Sequence, residues 1–154
     1  MAPSRSTTPE NKPPPPAMLA VMNPLVRATV GTPAWRLFPF PAAVLRFTGR
    51  RSGRELKIVA NVHDVDGTPT VITTRPWRLN FAGGREVEVT MRGQRRSGTG
   101  TLVEDPPQVA AAMNTILAGG LSARELGLAM PDGHVLTDAD ARALGRAMIR
   151  LEVR

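Results

Sequence analysis

The segment FTGRRSGR, residues 47–54, sets three arginines, two glycines and a serine within eight positions. Those residue types suit an anion. Gly49 and Gly53 let the backbone turn sharply and approach a ligand closely. Ser52 adds a hydroxyl, and the intervening N–H groups can converge on one negative centre, the arrangement of an anion-binding nest. Arg50 and Arg51 contribute planar guanidinium forks that match phosphate oxygens. Lys57 follows on the next strand-like run, and its side chain could return toward the same turn. The same residues would also serve as an ordinary solvated loop, so the anion reading and the loop reading both stand at this level.

The chain carries 20 Lys+Arg against 13 Asp+Glu, a net charge of +7. Such a balance favours anions in general and names none of them. Arg75, Arg78, Arg92, Arg95 and Arg96 widen the basic surface, and sequence-independent nucleic-acid binding needs little more than that. Single-strand binders, however, interleave aromatic stacking platforms, and the strand-rich region offers only Phe47, Trp77 and Phe81. Nucleic acid is therefore not the expected partner.

Conventional catalytic sets are missing. With no cysteine in 154 residues, disulfides, thiolate catalysis and cysteine-based metal sites are excluded. Ser52 has neither a nearby histidine nor a Gly-x-Ser-x-Gly context. Asp64 and Asp66 flank a turn, where such residues serve turn geometry. His63, on a strand, and His134, in PDGHV, read as packed or exposed rings rather than metal ligands. An enzyme built this way would leave the difficult chemistry to a cofactor.

The elements that must position the basic turn are strands. AAVLRFT (42–48) leads into it. ELKIVANVHDV (55–65) leaves it, with Leu56, Ile58, Ala60 and Val62 on one face. DVDGT carries an Asp-Gly hairpin signal toward a return strand, PTVITT (69–74). RPWRLNFAGG (75–84) breaks the alternation. EVEVTMRG (86–93) resumes it, and QRRSGTGTLVE (94–104) is its partner across a bend at Gly93. Five short strands joined mainly by tight turns predict a small antiparallel barrel. Flanking helices are expected at 18–38, interrupted near Pro24 and at Gly31–Pro33, and at DPPQVAAAMNTILAGG, with proline in its first turn and glycine at its end. SARELGL reads as a brief helical turn. A last helix opens on Thr137 with Asp140 three residues on, a capping-box spacing, and its end alternates as a strand through Ile149, Leu151 and Val153.

Residues 1–17, rich in proline, serine and threonine, are expected to form a disordered tail, with PPPP a polyproline ligand or plain linker; residues 18–154 form the barrel domain. No apolar run approaches the roughly 18–20 residues a membrane span requires, and the chain reads as cytoplasmic.

VLRFTGRRSGRELK (44–57), PWRLNF (76–81), VEVTMRG and GTGTLVE, in that order, resemble the deazaflavin-dependent nitroreductase family over residues 37–115. The resemblance implies a mainly β, antiparallel split β-barrel with flanking helices, of the pyridoxamine-phosphate-oxidase-like type, commonly a homodimer. It implies coenzyme F420, a deazaflavin with a phosphate-linked polyglutamate tail, as cofactor. Thr48, Gly49, Arg50, Arg51, Ser52 and Gly53 would hold the phosphate and acidic tail, with Lys57 as a second basic position. Trp77 and Asn80, a Trp-x-x-Asn element, would shape the ring pocket, and Arg78, where an aromatic is common, would add a phosphate contact. The implied reaction is hydride transfer to a small electron-poor acceptor: a quinone, nitro compound or activated alkene. An FMN-binding or non-catalytic barrel that holds a phosphorylated ligand by the same turn is the alternative.

Overall fold

A computed structural model of the chain describes residues 9–12, 23–28, 31–33, 42–131 and 133–154. Strand alternation dictates most of it. In β2 (Ala42–Thr48), Ala43, Leu45 and Phe47 turn to one face and are fully or almost fully buried. β3 (Glu55–Asn61) pairs antiparallel with it, from Thr48↔Glu55 to Ala42↔Asn61. β4 (His63–Val65), β5 (Thr68–Thr73), β6 (Arg85–Met91), β7 (Gln94–Val103) and β9 (Ala147–Val153) complete a seven-stranded antiparallel sheet in the order β3-β2-β6-β7-β9-β5-β4. Two hairpins turn where the sequence asks for it: Asp66 and Gly67 have φ of 52° and 85°, and Arg92 and Gly93 have 50° and 73°. Paired positive φ values belong to the type I′ turn, whose twist matches that of the strands it joins.

The run 55–65 differs from its expectation of one continuous strand. β3 lies at one edge of the sheet and β4 at the other, yet a single residue, Val62, separates them. The sheet must therefore curl until its two edges meet at Val62, which is buried in the interior. Among the described residues closure is covalent at that corner and no ladder joins β3 to β4 or β5, so the barrel is split there. The C-terminal run also gains importance: β9 lies between β7 and β5, so the last strand of the chain occupies the middle of the sheet.

The barrel interior is filled by one apolar cluster that includes Leu45, Phe47, Phe81, Val89, Ile149 and Leu151. A second cluster covers the outside of the sheet, where α1 (Pro106–Ala118) and α2 (Asp138–Leu144) pack Val109, Met113, Ile116 and Leu144 against Met148. Both helices start as their sequences require. The Asp105 side chain accepts from Gln108 N with Pro106 and Pro107 in the first turn. Thr137 and Asp140 form the reciprocal capping box, at 3.2 and 3.0 Å, and Gly145 ends α2 at φ 64°.

Of the N-terminal helical segment, residues 23–28 are helical and Val26 is buried beside Ala42. Pro24 lies within this helical run, which is unbroken over 23–28. The remainder of 18–38, apart from a turn at 31–33, lies outside the described residues, as does PPPP. Part of the expected tail holds a definite position. β1 (Glu10–Asn11) pairs with β8 (Leu128–Ala129), and Lys12 N donates to Gly127 O at 2.7 Å. Among the described residues no helix is long and apolar enough to cross a membrane.

Candidate functional site

The basic turn closes on itself. Gly49 N donates to Arg54 O at 2.8 Å, Gly53 N to Gly49 O at 2.9 Å, and Arg54 N to Ser52 Oγ at 3.2 Å. Glycine is required at two points for two reasons. Gly53 has φ 67°, a conformation that a Cβ strains. A Cβ on Gly49 would lie 2.8 Å from Ser52 Oγ and 3.3 Å from Leu56 Cδ1. Together with a bond from Arg50 N to Asn80 Oδ1, these engage four donors of the turn and leave the Arg51 and Ser52 N–H groups without a partner among the described residues. The Arg50, Arg51 and Arg54 side chains are exposed, and no carboxylate among the described residues pairs with them.

One bond joins the turn to the tryptophan segment. Arg50 N donates to Asn80 Oδ1 at 2.9 Å, and Asn80 Nδ2 donates to Trp77 O at 2.8 Å. Asn80 thus bridges two segments that lie thirty residues apart. Trp77 and Asn80 belong to a 3₁₀ helix, Pro76–Phe81, that starts on proline. It presents Trp77 toward Phe47, with ring centroids 6.3 Å apart, while Phe81 meets Phe47 edge-on at 4.7 Å and Trp77 at 6.0 Å. Phe47 immediately precedes the turn, so aromatic packing and the Asn80 bridge fix the turn against the same 3₁₀ helix.

Two of the expected residues are engaged elsewhere. Lys57 pairs in register with Arg46, on the opposite face of β3 from Leu56 and Ile58. There it joins a charged row with Glu55, Arg46, Glu88 and Arg95. The Arg78 guanidinium folds back, Nη1 donating to Thr74 O and Arg75 O at 3.1 Å each, and Nε lies 3.7 Å from Glu104 Oε1. Arg78 closes its own helix, and its buried Nε makes no hydrogen bond. Thr48 ends β2 beside the turn and is exposed.

Sequence reasoning gave no role to Arg146. Its Nε donates to Asn11 Oδ1 at 2.8 Å, Nη1 to Leu126 O at 2.7 Å and Nη2 to Gly127 O at 2.9 Å. Burial without a carboxylate partner pulls its pKa down to about 10, so it stays a cation at neutral pH. Asn11 also donates to Leu144 O at 2.7 Å, so the N-terminal strand and the 126–127 loop are held by one guanidinium. His63 lies in the field of Arg146, and burial first, then that positive charge, lowers its pKa below the usual 6.5. The folded state therefore resists protonation of His63. Its stabilising effect is fully present above the unfolded value, near 6.5, and is lost as pH falls from there through the lowered folded value. Thermal unfolding of wild type and His63→Gln as a function of pH checks this: the variant is expected to lose part of the decline in melting temperature below pH ~6.5.

The described residues hold no cluster of three or more histidine, aspartate or glutamate side chains placed for a metal ion. No protein-family model matches the chain, and no curated protein does. Solved structures of similar shape include three bacterial proteins. A candidate 5-nitroimidazole antibiotic resistance protein from Bacteroides thetaiotaomicron has 11% identity and a TM-score of 0.47, covering 75% of this chain and 74% of its own. Atu2129 from Agrobacterium tumefaciens, of unknown function, has 17% identity and a TM-score of 0.42, and ChuZ from Campylobacter jejuni has 11% and 0.42. The chain covers 48% of the length of Atu2129 and 53% of that of ChuZ.

Proposed function

We propose that this chain is a reductase that binds coenzyme F420 through the 49–54 turn and transfers hydride to a small electron-poor acceptor, a quinone, nitro compound or activated alkene. The observation that carries the reading is the Arg50–Asn80 bridge. It sets an open anion nest and the tryptophan segment side by side, as a coenzyme with a charged handle and a flat ring requires.

The residues present fit that coenzyme's handle. Among the described residues, two N–H groups and three unpaired guanidiniums face no competing carboxylate. Charge-assisted hydrogen bonds of this type contribute about 1.5–3 kcal/mol each. Arg50, Arg51 and Arg54 exceed what one phosphate monoester needs, which favours a ligand with additional carboxylates over FMN. Trp77, half-buried, offers an aromatic wall beside the turn, backed by the buried Phe47. When bound, the reduced deazaflavin supplies the hydride. The protein's part is to anchor, to orient and to hold the ring against a surface from which water is excluded. The chain has no cysteine or tyrosine, so neither a thiolate nor a phenol takes part. Assembly as a homodimer belongs to the same proposal, as does a location in the cytoplasm.

Titration of the purified protein with F420 and with FMN, followed by ligand absorbance and fluorescence, tests the reading. Saturable binding of F420 that is tighter than that of FMN supports it. Tighter FMN binding would replace the coenzyme, and silence with both would leave a barrel without a redox role.

A further inference from the structure

Where the curled sheet brings β3 near β5, beside the corner at Val62, it leaves a cleft of about 160 Å³. Its walls include Val71, Leu126 and Trp77, and its polar side chains are Asn61, His63, Thr73, Arg75 and Glu125. We propose that this cleft is a second ligand site, distinct from the basic turn, and that it takes a small carboxylate borne on a single ring.

The volume sets the size of the ligand. The cleft is open on one side, and its volume is close to that of the roughly 150 Å³ cavity that accommodates benzene, so it covers a single ring. Trp77 supplies a flat wall for that ring, and Val71 and Leu126, both almost fully buried, supply apolar contact.

The charges set its polarity. Arg75 is exposed, and no ion pair among the described residues engages its guanidinium. Its backbone is fixed, however: its N–H donates to Thr73 Oγ1 at 3.0 Å and its carbonyl accepts from Arg78 N and Nη1 at 3.2 and 3.1 Å. An unpaired guanidinium at the rim of the cleft can reach a carboxylate there and grip it with charge-assisted hydrogen bonds. The His63 imidazole makes no hydrogen bond among the described residues, and burial, then the charge of Arg146, disfavours its protonated form. A neutral imidazole offers one donor and one acceptor without adding charge. Arg146, buried and uncompensated, adds positive potential behind it. Glu125 is the opposing charge. Ser122 N donates to its Oε2 at 2.8 Å, which keeps it ionised, and its repulsion directs a ligand carboxylate toward Arg75. The cleft shares Trp77 with the proposed coenzyme wall, so the probe is read on the protein without added coenzyme.

The experiment uses intrinsic fluorescence. Trp35→Phe leaves Trp77 as the chain's one indole, since the sequence contains two tryptophans. Benzoate is the probe, with benzyl alcohol as the ring without charge and acetate as the charge without ring. Benzoate is expected to quench Trp77 saturably, and each control to bind at least about tenfold more weakly. Arg75→Gln, at an exposed position, should keep its melting temperature and lose about tenfold or more in benzoate affinity. The proposal is overturned by any of three results: no saturable quenching up to the solubility of benzoate; unchanged affinity in Arg75→Gln; or a loss in Arg50→Ala/Arg51→Ala that equals or exceeds the loss in Arg75→Gln, which would place the probe at the basic turn.

Discussion

Arg50→Ala/Arg51→Ala is expected to weaken binding of F420 by two orders of magnitude or more while leaving the fold intact. Both side chains are exposed, and neither makes an ion pair or hydrogen bond among the described residues, so the fold loses no contact with them. The turn is held instead by backbone bonds of Gly49, Gly53 and Arg54 and by the bond from Arg50 N to Asn80, none of which needs either guanidinium. Each charged hydrogen bond contributes about 1.5–3 kcal/mol, so losing two amounts to about 3–6 kcal/mol, where 1.4 kcal/mol is tenfold. Isothermal titration of the variant beside a thermal melt separates the two effects. Because the interaction is electrostatic and solvent-facing, the wild-type affinity should also fall as salt is raised. A variant with wild-type affinity and a wild-type melt removes the turn from the site.

The second large effect is structural and lies on β7. Gly98 faces β9 so closely that an added Cβ would collide with Glu152 O and come within 2.6 Å of Val153 Cα. Those atoms are backbone, so the collision is relieved only by parting β7 from β9, at the centre of the sheet. Gly98→Ala is expected to cost about 3 kcal/mol or more, beyond ordinary overpacking, and to lower the melting temperature by roughly 6–12 °C. Gly100→Ala meets a ring instead: its Cβ would lie 2.6 and 2.7 Å from Phe81 Cδ1 and Cε1. Phe81 is wholly buried and packs on Phe47 and Trp77, so this variant should both destabilise and shift the Trp77 emission. Differential scanning calorimetry and fluorescence on the two variants distinguish backbone separation from aromatic displacement.

The sequence announced those elements whose cause is local. β2 falls on AAVLRFT (42–48) because alternation begins after Pro41 and stops at Gly49. The Asp66-Gly67 turn, the bend at Gly93 and the Thr137 capping box are set by a few adjacent residues, and they stand where the residues placed them. The corner at Val62 was not legible, because Leu56, Ile58, Ala60 and Val62 keep the same period while the strand changes partners. Inward direction is written in the alternation; the identity of the neighbour is not. The segment 75–84 announced only a break, and its 3₁₀ form depends on Pro76 and on packing against Phe47.

At the site, the turn could be read from its glycines and arginines, and its link to Asn80 could not. That contact joins residues thirty apart; the resemblance placed Asn80 at the ring pocket and gave no bond to the turn. Lys57 illustrates how period 2 limits such inference. One residue beyond Leu56, it points to the other face, into the charged row with Arg46 and Glu55. Arg146 gave no signal because what buries it comes from Asn11, 135 residues away, and from the carbonyls of Leu126 and Gly127.

The central claim is that the 49–54 turn recognises the anionic handle of the coenzyme. It is tested most directly by comparing intact F420 with the same deazaflavin stripped of its phosphate and glutamates, at equal salt. The account predicts that the intact coenzyme binds about a hundredfold tighter or more. Equal affinities for the two would contradict it.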